Sequence, residues 1–146
     1  MRCRITTCLV TFLMCLMIFS VCSAKQPSAE DVRPFADSMT ENILMAMNED
    51  NYSNFSKDFT DKMKIAISDE NYKDKITPIK EKIGEYIANS KEYLGYEVKN
   101  ERLTVKYKAN FTTEPEDVIV RVVFTDQGDK ESVSGFWLNS PKLRTQ

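Results

Sequence analysis

The chain has 146 residues, with 20 basic and 22 acidic side chains, no histidine and four cysteines. A small negative net charge gives no bulk attraction to nucleic acid or anionic lipid. The missing histidine removes the commonest general base and the commonest zinc ligand.

The first 24 residues read as a secretory signal. Arg2 and Arg4 supply a positive start, and residues 5–21 are then uncharged. The apolar stretch 9–19 has signal-core length and ends at Ser20-Val-Cys-Ser-Ala24, where Cys22 and Ala24 are the small residues before a cut after Ala24. An uncleaved membrane anchor is one alternative, because the uncharged run reaches the minimum length of a spanning helix. Lipidation at Cys22 is another. All four cysteines (Cys3, Cys8, Cys15, Cys22) lie in this segment, so the remaining 122 residues contain none. Export therefore implies an extracytoplasmic domain held by its core rather than by disulfides. Without Arg2 and Arg4 the count becomes 18 basic against 22 acidic residues.

Residues 25–30 read as a linker, 31–140 as one domain and 141–146 as a tail. Pro34 sets the start of a first helix near Asp31 or Arg33, because proline suits only the first turn. Val32, Phe35, Ala36, Met39, Ile43, Leu44 and Met47 then fall on one face, with Asp37, Thr40, Glu41 and Asn48 on the other. Asn51 is positioned to cap a short helix carrying Tyr52, Phe55 and Phe59. Thr60 caps a turn through Met63, and Ser68 caps a helix through Tyr72, Ile76, Ile79 and Ile83. Pro78 should kink or split this last helix, and Gly84 should end it.

Beyond Gly84 the apolar period changes from 3.6 to 2. Leu103, Val105, Tyr107, Ala109 and Phe111 alternate with polar residues, as in a strand with one wet face. Glu114–Asp117 is a turn, residues 118–124 a central strand, Asp126–Asp129 a hairpin loop and residues 132–138 a further strand. An earlier strand, bulged at Gly95, lies between Tyr86 and Val98. Helices followed by about four antiparallel strands give an α+β fold, with N-terminal helices packed on one face of a curved sheet.

The run Ala46-Met-Asn-Glu-Asp-Asn-Tyr52, followed by Phe55-Ser-Lys-Asp-Phe59 and Lys62-Met63, resembles small exported domains of the nuclear-transport-factor-2-like, cystatin-like superfamily. Within it, the pattern is most similar to domain-of-unknown-function family 3887. The resemblance implies a cone-shaped fold with room for a pocket between helices and sheet, and it carries over no catalytic residue. Some relatives of the fold are isomerases or cyclases with an Asp base in the cone. Here the acids cluster in loops (Glu49-Asp50, Asp69-Glu70, Glu114–Asp117, Asp126–Asp129), and Asp58 is the only one flanked by core residues. The Gln-x-Val-x-Gly element of cystatin-type inhibition is absent.

Tyr107, Phe124, Phe136 and Trp137 are candidates to line a pocket or a partner surface. Phe136 and Trp137 are adjacent, so they point to opposite faces. Asn51, Asn54 and Asn110 head N-glycosylation patterns. No phosphate-cradling or calcium loop occurs, and no cofactor or metal site is expected. These features favour an exported non-catalytic binding or accessory domain. Its partner is expected to be a small apolar ligand or a second copy meeting it through the sheet. Nucleic acid is not expected, and membrane contact comes only through the N-terminal segment. An isomerase- or cyclase-type enzyme and a structural, self-associating envelope domain are the alternatives.

Overall fold

A computed structural model describes residues 27–128 and 130–144. The signal or anchor segment, with all four cysteines, lies outside the described residues. Helices α1 (Ala29–Asn48), α2 (Tyr52–Ser56), α3 (Asp61–Ala66) and α4 (Asp69–Ile83) precede strands β1 (Glu92–Lys99), β2 (Arg102–Ala109), β3 (Val118–Asp126) and β4 (Glu131–Asn139). A short α5 (Pro141–Arg144) follows β4. The strands form one antiparallel sheet in the order β1-β2-β3-β4. The architecture is α+β, as the change of hydrophobic period requires. Among the described residues no helix is long and apolar enough to cross a membrane.

Helix α1 starts at Ala29, inside the stretch expected as linker. The cause is a capping box: the Ser28 hydroxyl accepts from the Asp31 N–H at 3.3 Å, and Asp31 Oδ2 accepts from the Ser28 N–H at 2.9 Å. That pair outweighs Pro34, whose missing N–H falls on an exposed flank of the helix. Pro78 likewise does not split α4, which runs unbroken from Asp69 to Ile83. Asn51, Thr60 and Ser68 are the N-caps of α2, α3 and α4. Gly84 ends α4 at φ 81°, and an added Cβ would lie 2.2 Å from Thr112 Oγ1. Both its backbone and its surroundings demand glycine.

The core lies between the helices and the inner sheet face. Val32, Ala36, Ile43, Leu44 and Met47 of α1 are buried with Val105, Tyr107, Val120, Val122 and Phe124. Phe55 is the aromatic hub, with ring centroids 5.0 Å from both Phe59 and Tyr72 and 6.2 Å from Phe136. The connection between α2 and α3 docks on the outer edge of β4. The Thr60 N–H donates to the Val133 carbonyl at 2.9 Å, and the Val133 N–H to the Asp58 carbonyl at 2.7 Å. This parallel bridge covers part of an edge that would otherwise present unpaired backbone groups.

Three details depart from the sequence expectation. Thr40, placed on the polar face of α1, is fully buried, while Asp37, Glu41 and Asn48 are half-buried and bond to the strand side of the fold. Glu114, expected in a solvated turn, is only 6% exposed because α5 folds over it and the Lys142 N–H donates to its carboxylate at 3.2 Å. Pro141–Arg144 thus form a packed turn of helix. Burial alone would raise the Glu114 pKa, but hydrogen bonds from Ser140 and from the Lys142 and Glu116 N–H groups hold it below the usual carboxylate value.

Removing the aromatic hub tests this core. Phe55→Ala should cost about 3–5 kcal/mol, read as a lower midpoint in chemical denaturation.

Candidate functional site

Cross-strand register builds the outer sheet face row by row. One row aligns Glu97, Thr104, Val123 and Gly135 across the four strands. These are mostly low side chains, so they form a floor. On one side stands a row of tall residues, Lys106 opposite Arg121 opposite Trp137. On the other stand Lys99 and Arg102, which face each other across the two-residue turn Asn100-Glu101. Both turn residues have positive φ (51° and 60°), as a type I′ hairpin turn requires.

Two tall rows flanking a low one make a groove running across the strands. It encloses about 900 Å³ and reaches beyond β4 to Thr60, Asp61 and Lys62 at the start of α3, which the Phe59–Val133 bridge holds against the sheet edge. A smaller depression of about 460 Å³ lies on the far side of the Lys106–Arg121–Trp137 ridge.

Trp137 stands at the β4 end of this ridge, 47% exposed. Its indole lies against Gly135, where an added Cβ would come within 2.4 Å of two ring carbons. Gly135 is therefore what allows the ring to fold down over the floor. The Arg121 guanidinium carbon sits 4.5 Å from the indole centroid, a cation–π contact that fixes both side chains.

The four aromatic residues singled out by sequence do not come together. Tyr107 and Phe124 are fully buried on the inner face, and Phe136 is half-buried there against Phe55. Trp137 alone faces outward, on the opposite side from Phe136. The residues that accompany it are Arg121, Gly135, Lys99 and Arg102, none of which the sequence reading names as a candidate. The alternation of Arg102, Lys106 and Arg121 as outward residues was the available signal, but their alignment depends on register.

A second polar cluster lies on the flank of α1. The Tyr107 hydroxyl donates to Asp37 Oδ1 at 2.9 Å, and Arg33 Nε is 3.4 Å from Asp37 Oδ2. One turn along, Glu41 accepts from the Tyr86 hydroxyl at 2.9 Å and pairs with Lys91 at 3.4 Å. The Asn48 side chain bonds both the N–H and the carbonyl of Tyr86. These carboxylates are occupied in tying α1 to the sheet, and none of them lines the outer groove. Asp58, the acid flanked by core residues, contributes its backbone carbonyl to the β4 bridge. Among the described residues no three His, Cys, Asp or Glu side chains converge as a metal site would need.

Comparison of the chain with protein-family models, with curated proteins and with solved structures gave no match.

The tyrosines of the cluster and the core predict alkaline behaviour. Burial, helped by the Asp50 charge, pushes Tyr72 up to about 12. Burial and then the Glu41 acceptor do the same for Tyr86, to about 12. Tyr107 is raised further, by burial and then by Asp37. Because the fold holds these protons more tightly than the unfolded chain, their contribution is complete below about pH 10; that of Tyr72 and Tyr86 is lost as pH rises through about 12, and Tyr107 keeps its proton beyond that. Spectrophotometric titration should find these three tyrosines still protonated where free tyrosine ionises. Tyr86→Phe should make the fall in denaturation midpoint with pH shallower.

Proposed function

We propose that the protein is an exported, non-catalytic binding domain that presents its outer sheet face to a ligand. The observation that carries this reading is Trp137, folded over Gly135 and stacked with Arg121 beside a groove of about 900 Å³. A large, half-exposed aromatic held rigid by backbone and guanidinium contacts loses little conformational freedom when a ligand covers it. Export rests on the charge and hydropathy pattern of residues 1–24. Kinship with the nuclear-transport-factor-2-like superfamily rests on the motifs of residues 46–63 and is supported by the order of helices before sheet.

The enzyme alternative finds less support. An isomerase of this type needs a carboxylate aimed into a cavity beside substrate. Asp37, the acid that meets a buried tyrosine, is satisfied by Arg33 and Tyr107 and does not line the groove. Self-association through the sheet is also disfavoured. The middle of the outer face is Lys106 beside Arg121 rather than a continuous apolar patch.

Trp137 is the only tryptophan in the chain, so its emission reports on the groove. Titration with a panel of oligosaccharides, peptides and nucleotides should give a saturable change with at least one compound. Gly135→Ala, which displaces the indole, should weaken that binding tenfold or more. A compound that is turned over, with turnover lost in Asp37→Asn, would establish the enzyme instead.

Export has its own check. Intact-mass measurement of the protein recovered from its producing cells should find Lys25 as the first residue. A lipidated Cys22 or an intact Met1 would replace release by tethering.

A further inference from the structure

The outer face carries an electrostatic cost in the free protein. Lys99 faces Arg102 directly across β1 and β2, and Lys106 faces Arg121 directly across β2 and β3. Like charges opposite each other on adjacent strands are destabilising. The acids near them do little to relieve this. Glu97 lies 3.8 Å from Lys106, and both are well exposed. Lys62, Lys99 and Arg102 have no ion-pair partner among the described residues, and Arg121 has only the Trp137 ring. Lys99 and Arg102 on one bank, Arg121 on the other and Lys62 at the α3 end thus line one groove, in a chain whose net charge is −2. Among the described residues Asp61 and Glu97 are the acids lining the groove.

We infer that the groove binds an acidic glycan, a chain of carboxylated or sulfated sugars. The inference rests on the binding role assigned to this face and names its ligand class. Anionic groups of such a chain meet Lys99 and Arg102, relieving their repulsion, and Arg121 on the opposite bank. A sugar ring packs against the half-exposed Trp137 indole beside Arg121. Thr104 and Gln127 line the space between as donors and acceptors for sugar hydroxyls, while Thr125 and Ser134, whose protons go to Ser134 and to the Val123 carbonyl, offer acceptors. A single-stranded nucleic acid fits less well. Bases need successive aromatic platforms to stack on, and this groove has one.

The test uses the full chain, Trp137 emission and four probes: oligogalacturonate, a heparin oligosaccharide, a neutral dextran oligosaccharide and oligothymidylate. Either or both acidic sugars should shift the emission saturably, with affinity falling about tenfold between 50 and 200 mM salt. Dextran should have no effect. The ranking of the first two probes separates carboxylate from sulfate as the recognised group. Arg102→Gln and Arg121→Gln should each weaken binding at least fivefold. Arg102→Gln should leave the thermal midpoint of the free protein unchanged or higher, because it removes a repulsion.

Equal binding of dextran, or tighter binding of oligothymidylate, would overturn the acidic-glycan assignment while leaving the groove as the binding face. Silence from all four probes would also overturn it. If the wider compound panel is then silent too, the binding role of the face falls with it. Binding of an acidic sugar undiminished in both Arg→Gln variants would place the contact elsewhere and overturn the inference.

Discussion

The apolar stripe Val32, Ala36, Ile43, Leu44 and Met47 lies buried with the inner face of β2 and β3, and the rest of the molecule takes its position from that contact. Each fully buried aliphatic side chain contributes about 1.5–3 kcal/mol. A hydrogen bond to a charged group, such as Tyr107 to Asp37, contributes about 1.5–3 kcal/mol. Summed along the stripe, burial outweighs the polar contacts by a wide margin. The polar contacts fix instead how α1 sits: Asp37, Glu41 and Asn48, spaced along one flank, tie it to Tyr107, Tyr86 and Lys91 and so set its position along the strands.

With the inner face filled in this way, the opposite face is left to meet solvent, as usual for an antiparallel sheet covered on one side. What distinguishes this face is its relief. Small residues align in one row, long cations in the rows beside it, and Gly135 gives Trp137 somewhere to lie. The helices contribute indirectly, because the connection docked on Val133 carries the first residues of α3 to the end of the groove.

Much of the fold was legible because it depends on local chemistry. The caps Asn51, Thr60 and Ser68, the stop at Gly84 and the alternation from Leu103 to Ala109 each follow from the intrinsic preferences of a few neighbouring residues. Proline misled in two places. Its cost is modest when the orphaned carbonyl is solvated, so the Ser28–Asp31 box extended α1 past the limit drawn from Pro34, and α4 continued through Pro78. The opposed directions of Phe136 and Trp137 were readable from the period of a strand. The groove was not, since it depends on which residue of one strand meets which of the next. On β4 the pairing of Gly135 and Trp137 follows from a bulge near Phe124 that has no local signal, and the β2–β3 pairing is regular along its length.

The strand order β1-β2-β3-β4 also has a meaning in time. Every strand pairs with its neighbour in sequence, so the sheet is assembled entirely by hairpin closures, which carry small entropic costs. The ties between α1 and β2 span far more chain, 70 residues in the case of Asp37 and Tyr107. They gain their strength once the strands already offer a surface. A sheet of this order lets the outer rows of charge come into register before the helix arrives, and without waiting for any sulfur chemistry.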